Sequence, residues 1–385
     1  MSSCLGLYIE KNLIKYAKVS KEKDMIKVDA FGVKFYENIG EAISQIISET
    51  YSYHTPISIN LSEEIYSYFY FFNLLSKNDL KKAIETEFSS FCSEKGYNRN
   101  ALESRYALTP EIDNKEKIRA IYIYVNKTEI NRKIQDFGEN PVSMITTLPM
   151  AISNVAEIKE KENILIVNIE NNTSVTKIIN GSIYEVQKME EGMDQILYNI
   201  NTKENSYSKA YEICKNTTIY TADGRELLQQ EIDSNTDYLE DIMPTLYTIA
   251  NNVKTYIESS TDRIDKVYIT GSGSIINNID LYFQEFLPDS KCEILKPYFI
   301  KNSVKINIKD YIEVNSAIAL AMQQLGYGIK ELNFKRKTIA NSLQDLAKRD
   351  IKPGNKKTGN KKNNDFGGKV KNFFNFKEGL KGRTR

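Results

Sequence analysis

One order of secondary structure runs through this 385-residue chain twice. Alternating apolar and polar positions predict three strands, Cys4 to Ile9, Leu13 to Val19 and Ile26 to Phe35, then a helix around Gly40 to Tyr51 and a strand from Pro56 to Leu61. After a charged linker, EIKEKEN at residues 157–163, the order returns. It reads Ile164 to Ile169, Ser174 to Ile179, Ser182 to Met189, a helix from Glu191 and, later, a strand that begins at Lys266. A chain that writes βββαβ twice reads as an α/β protein whose two halves repeat one topology. The literal match is short: Tyr8-Ile9-Glu10-Lys11-Asn12 against Asn168-Ile169-Glu170-Asn171-Asn172, with Ile-Glu-x-Asn once more at Ile312 to Asn315. Element order, not wording, carries the repeat.

A different pattern interrupts the first half. An aromatic strand, Ile65 to Leu75, precedes a helix from Asn78 to Cys92, strands Ser104 to Leu108 and Ile118 to Asn126, and a helix from Thr128. Ser76 and Asp79 stand where an N-cap belongs, and Leu80, Ala83, Ile84, Glu87, Phe88 and Phe91 make a helical stripe. The expected divisions are residues 1–62 for the first part of lobe one, 63–140 for the inserted subdomain, and 141–160 for a crossing helix and linker. Residues 161–334 are expected to form lobe two, and 335–385 a tail. A helix is expected over Leu148 to Ile158, after the strand Val142 to Thr146. Tyr238 to Glu258 is expected as a core helix, with Leu239, Ile242, Leu246, Ile249, Val253, Tyr256 and Ile257 on one face.

Composition removes several function classes. Residues 331–385 carry 16 Lys and Arg against 5 Asp and Glu, a surplus of 11 in a chain of net +1, so the body before them is acidic by 10. An acidic body disfavours nucleic acid, and the aromatic run Tyr66 to Phe72 reads as strand packing or a protein contact surface. Cys4, Cys92, Cys214 and Cys292 lack metal spacing and no secretory leader is read before them, which fits buried thiols in a reducing compartment. His54, the one histidine, lies in a turn beside Thr55-Pro56 and leaves no histidine metal cluster. The longest apolar run, Phe69 to Leu75, is too short to span a bilayer.

The strand Lys266 to Thr270 runs into Gly271-Ser272-Gly273 and an amphipathic segment with Ile275, Ile279, Tyr282, Phe283 and Phe286 on one side. Glycines here let backbone approach a ligand, and a helix start offers free N–H groups to phosphate or ribose; a tight structural turn has the same sequence.

Together these features resemble the actin-like ATPase superfamily, and within it the PilM family of type IV pilus assembly, with FtsA next, over residues 4–334. The resemblance implies a two-lobed actin-like, ribonuclease H-like α/β fold with a small inserted α+β subdomain. Phe72 to Glu87 resembles the inserted subdomain of PilM and FtsA, and Pro141 to Ala156 the crossing between halves. Tyr207 to Lys215 resembles the helix whose Glu and Lys reach adenosine, which implies Glu212 and Lys215 as ligands. Val267 to Gly273 resembles the adenosine strand and turn, implying Gly271, Ser272 and Gly273. Lys15, Thr173 and Ser174 are implied at the phosphates, making ATP the implied cofactor.

The departures fall on the phosphate side. The first family loop, D-I-G-S-S-S-x-K, corresponds to Tyr8 to Lys15, where only Ile9 and Lys15 match. The second, D-I-G, corresponds to Asn168-Ile169-Glu170. Tyr8 and Asn168 replace the carboxylates that hold hydrated Mg²⁺, and Glu10 and Glu170 replace the close-approach glycines, so no Mg²⁺ ligand is assigned. Loss of the metal removes the main neutraliser of charge in phosphoryl transfer.

The resemblance implies a cytoplasmic scaffold at the inner face of the membrane that binds the N-terminal peptide of an inner-membrane partner, PilN. Tyr68, Tyr70 and Phe72 are the candidate contact residues, and self-association is a further candidate. An FtsA-like, membrane-tethered polymer and an active ATPase are the alternatives. The tether reading rests on residues 365–381, where Phe366, Val370, Phe373, Phe374 and Leu380 approximate an apolar stripe among lysines suited to anionic lipid.

Overall fold

The computed structural model describes residues 2–23, 25–111, 116–138, 140, 142–219, 236–300 and 308–335. The chain begins with β1 (Ser2–Ile9), β2 (Leu13–Glu22), β3 (Met25–Phe35), α1 (Ile39–Glu49) and β4 (Ile57–Asn60). Asn38 caps α1 by accepting from the backbone N–H of Gly40 and Glu41, as its short polar side chain favours. The inserted segment follows: β5 (Ile65–Phe72), α2 (Lys77–Glu94), β6 (Leu102–Pro110), β7 (Lys117–Asn126) and α3 (Lys127–Gln135). The chain then returns through β8 (Val142–Thr146) and α4 (Leu148–Ala151). The second half holds β9 (Ile164–Ile169), β10 (Thr173–Ile179), β11 (Ser182–Met189), α5 (Met193–Glu204), α6 (Tyr207–Asn216) and α7 (Leu239–Glu258). It closes with β12 (Lys266–Thr270), α8 (Ile279–Phe286), β13 (Lys291–Ile294), α9 (Ile308–Glu313) and α10 (Asn315–Gln324).

Two five-stranded sheets share one strand order, β3-β2-β1-β4-β8 and β11-β10-β9-β12-β13. In each, an antiparallel hairpin meets two parallel strands at the first strand of the half. All six residues of β9 are buried, as a central strand covered on both faces requires. The inserted segment builds its own three-stranded sheet, β5-β7-β6. Alternation along β5 sends Phe69 and Phe71 to the face packed by Ile84, Phe88 and Cys92 of α2, where the Phe88 and Tyr122 rings stack 4.1 Å apart. Ser76 caps α2 through the Asp79 N–H.

Three expectations are corrected. The crossing helix is one α-helical turn followed by a 3-10 turn at Ile152–Asn154, not a helix to Ile158. There Ser153 bonds the Met150 carbonyl and Asn154 reaches Gln323 on α10, so these side chains serve local and tertiary bonds. The segment after Gly271 is a 3-10 turn, Ser272–Ile275, and α8 begins only at Ile279. Asn277 is drawn instead into backbone bonds with Thr217 and Ile219, and Asn278 turns the chain at φ 64°. Finally, residues 161–334 are not all second lobe. α10 lies against β1, β2 and β4, so closely that a Cβ on Gly6 would sit 1.9 Å from the Ala317 carbonyl oxygen. Beyond it, the Phe334 N–H bonds the Ile145 carbonyl and the Arg105 guanidinium donates to the Asn333 carbonyl.

Candidate functional site

The two first hairpins of the lobes turn at equivalent places, residues 10–12 and 170–172, and bring Glu10 and Glu170 into one cleft. Asn60 on β4 fixes the first turn, accepting from the Ile9 N–H at 2.8 Å and donating to its carbonyl at 3.2 Å. Lys15 lies on the inward face of β2 with Leu13, Ala17 and Val19, and its side chain is fully buried. Its ammonium crosses to the other lobe and meets Glu170 Oε2 at 2.6 Å.

Glu170 takes three further donors. The Ser272 N–H and hydroxyl reach Oε2 at 2.9 and 2.7 Å, and the Ser316 hydroxyl at the start of α10 reaches Oε1. Charge-assisted bonds of this kind are what allow a carboxylate 1% exposed to remain in the interior. Glu10 has poorer company. Its Oε1 accepts from the Asn171 N–H at 2.7 Å and the Tyr8 hydroxyl at 2.9 Å, while Tyr36 bonds its carbonyl. Burial first, then the negative charge of Glu170, pushes the Glu10 carboxyl up to about 8, against the pull of Lys15 and the two donors.

The glycine turn is packed against the same hairpin. Gly271 holds φ at 87°, and a Cβ there would lie 2.5 Å from the Ile169 carbonyl oxygen; one on Gly273 would lie 2.7 Å from Ile169 Cβ. The closely approached partner is strand β9, so the turn has a complete structural reason for its glycines. Thr173 and Ser174 are buried at the start of β10, with Thr173 bonded through its N–H to Glu191. Glu212 is exposed on α6, and Lys215 pairs with Glu313 of α9 at 2.7 Å. The structure therefore joins Lys15 and Ser272 through Glu170 and sends Lys215 to a different carboxylate.

Triphosphate and Mg²⁺ do not fit this donor set. The ammonium and turn N–H that would hold phosphate are both bonded to Glu170, and the net charge of the Lys15–Glu170 pair is zero. Asn168 Oδ1 points at Gly271, and among the described residues no group of three His, Cys, Asp or Glu side chains is placed to hold a metal ion. Ser316, Asn60 and Tyr36 carry no sequence signal of their own. Lys15 does: a lysine in register with three buried apolar residues demands a buried counterion.

The inserted sheet turns its other face toward β11. The Tyr68 hydroxyl donates to the Val186 carbonyl at 2.6 Å and accepts from its N–H at 2.8 Å, so Tyr68 is a half-buried strut between β5 and β11. Beside it the Arg119 guanidinium lies 4.4 Å from the Tyr68 ring centroid and 4.1 Å from that of Tyr184. A groove of about 540 Å³ opens between the start of β5 and Glu185 to Lys188 of β11. Further along β5, Tyr70 and Phe72 are 52% and 63% exposed, and Leu74 after them 92%.

Elsewhere, all four cysteines are free and buried, and His54 sits exposed in its turn. No described helix is long and apolar enough to cross a membrane. Phe366, Val370, Phe373, Phe374 and Leu380 lie outside the described residues.

No protein-family model matches the chain, and no curated protein does. Solved structures do. A PilM-PilN type IV pilus biogenesis complex matches with a TM-score of 0.64 at 14% identity, covering 83% of this chain and 98% of that one. EutJ, an ethanolamine utilization protein from Carboxydothermus hydrogenoformans, matches at 0.46 and 12% identity, over 83% and 90%. MreB 5 of Spiroplasma citri bound to AMPPNP matches at 0.43 and 10% identity, over 91% and 99%. The first likeness, with the repeated sheets, places this chain in the two-lobed actin-like fold.

Proposed function

We propose that this protein is a non-hydrolysing actin-like scaffold of a type IV pilus or related secretion machine, holding the short cytoplasmic segment of an inner-membrane partner. The observation that carries the reading is the cleft. Where an ATPase of this fold needs room and uncommitted donors, Lys15 and Ser272 are bonded to Glu170 of the same chain. A protein of this fold without turnover is left with its surfaces. The solved complex that shares the fold pairs PilM with PilN, and the edge strand of the inserted sheet here ends in two uncovered aromatics, Tyr70 and Phe72, with exposed Leu74 just beyond it. Contiguous exposed aromatics on an edge strand suit a partner peptide. The site would lie on the cytoplasmic side, next to the membrane that anchors the partner.

Titration of the full chain with a labelled N-terminal cytoplasmic segment of a PilN-like inner-membrane protein tests this. Saturable binding that falls at least about tenfold in Tyr70→Ser/Phe72→Ser is expected, since aromatic anchors dominate such contacts. Binding equal in wild type and variant, or none at all, removes the reading. Calorimetry with Mg²⁺ and ATP tests the other half: micromolar affinity lost in Glu212→Ala would restore a nucleotide site. The FtsA-like alternative retains the basic tail in its favour. Anionic liposomes should sediment the full chain but not a version ending at Phe334; equal sedimentation of both excludes the tether.

A further inference from the structure

We propose that the interlobe cleft is an oxyanion site whose anion is the carboxylate of Glu170, a group the chain supplies to itself in place of phosphate. The donors are those a phosphate takes: a lysine ammonium, a backbone N–H at a glycine turn and two serine hydroxyls. They come from separate parts of the molecule. Lys15 belongs to β2 of the first lobe, Ser272 to the turn after β12 of the second, and Ser316 to α10, which packs on the first. Glu170 thus closes a bond across the cleft that a bound anion would otherwise close.

Three observations separate this arrangement from an ordinary buried ion pair. Lysine alone would satisfy the charge, yet three neutral donors from two further segments converge on the same two oxygens. The backbone N–H among them belongs to a residue whose predecessor is held at φ 87°, which aims the amide into the cleft. Finally, Asn168 Oδ1 at the end of β9, beside Gly271, and Asn315 Oδ1 at the start of α10, one residue before Ser316, are buried without a hydrogen-bonding partner. Such a concentration of polar atoms is costly in an interior and is ordinary in a chamber shaped for a charged ligand. Because the carboxylate is covalently attached, it is neither exchanged nor hydrolysed, and the lobes are joined without nucleotide.

Shortening residue 170 should therefore uncover the site. The test uses the full chain as wild type, Glu170→Ala and Glu170→Gln, with thermal midpoints in phosphate, formate, sulfate and chloride at matched ionic strength. Glu170→Ala should melt lower in chloride and recover saturably with inorganic phosphate, by at least about 2 °C beyond the shift that phosphate gives wild type. Glu170→Gln should melt lower and show no recovery, because its amide still fills the space. If Glu170→Ala does not fold in chloride, refolding yield from denaturant replaces the midpoint: folding gained in phosphate supports the proposal, and failure in every anion overturns it. Recovery equal in Ala and Gln variants, or a wild type that responds as strongly as Glu170→Ala, also overturns it. Scaffold activity is read separately by peptide binding, so either conclusion stands or falls alone.

Discussion

The hairpin turns at Glu10 and Glu170 begin with the same two residues, Ile-Glu, occupy the same place in matching sheets, and meet opposite electrostatic fates. Glu170 has a buried lysine at 2.6 Å and three neutral donors. Glu10 has an amide, a phenol and an unwelcome neighbour in Glu170, so its proton is held to about pH 8. Sequence identity within a repeat therefore does not transmit chemical state. What decides it is which element crosses from elsewhere: β2 brings its ammonium to the second turn, and among the described residues no cation from the second lobe pairs with the first turn.

The harshest way to erase that difference is Lys15→Met, which strands a buried carboxylate. Urea unfolding should show a loss of about 3–5 kcal/mol, and Lys15→Met/Glu170→Met should return only part of it, because the Ser272 and Ser316 donors are then left without their acceptor. A midpoint unchanged in the single variant would deny that the lysine holds the second turn. Next come the hydroxyls: Ser272→Ala and Ser316→Ala each remove one donor to a charged group and should cost about 1.5–3 kcal/mol apiece. Equal losses from a serine outside the cleft would make that number uninformative.

The first turn is probed more gently by pH. Glu10 keeps its proton longer folded than unfolded, so between about 4.5 and about 8 the native state binds the extra proton. Its contribution is full below 4.5 and is lost as pH rises through 8. Glu10→Gln cannot lose the proton, so its stability should fall less than wild type's over that interval. Parallel pH profiles would mean that Glu10 ionises normally. Smallest of all, Phe72→Ser on the exposed edge should leave unfolding within about 0.5 kcal/mol of wild type, a control outside both turns.

Much of the architecture was legible because it is local. Strand alternation, the Ser76 cap and the apolar face of α7, with Ile242, Leu246, Ile249 and Val253 buried, are written within a few residues of each other. The loss of both family glycines was equally plain. Illegible were the facts set by distant contacts. Nothing near Leu148 announces that Asn154 will leave the helix for Gln323, and nothing near Asn277 announces its pairing with Thr217. Glu170 could be seen to crowd a phosphate; its bond to a lysine 155 positions earlier could not. Tyr68 and Phe72 share a strand face, and only the position of β11 makes the one a strut and the other exposed.

The contact between Gly6 and α10 bears on the order in which the molecule can be made. β1 emerges from synthesis well ahead of α10, but its outer surface is finished by residues 315–324, so the first lobe must close a loop of more than three hundred residues. The sheet of the second lobe runs from Ile164 to Ile294 and needs no such return. Lower contact order favours the later-made half, so the second sheet should protect its amides ahead of the first when the denatured chain is refolded and pulse-labelled. The amino-terminal lobe, although older on the ribosome, is then the last to mature.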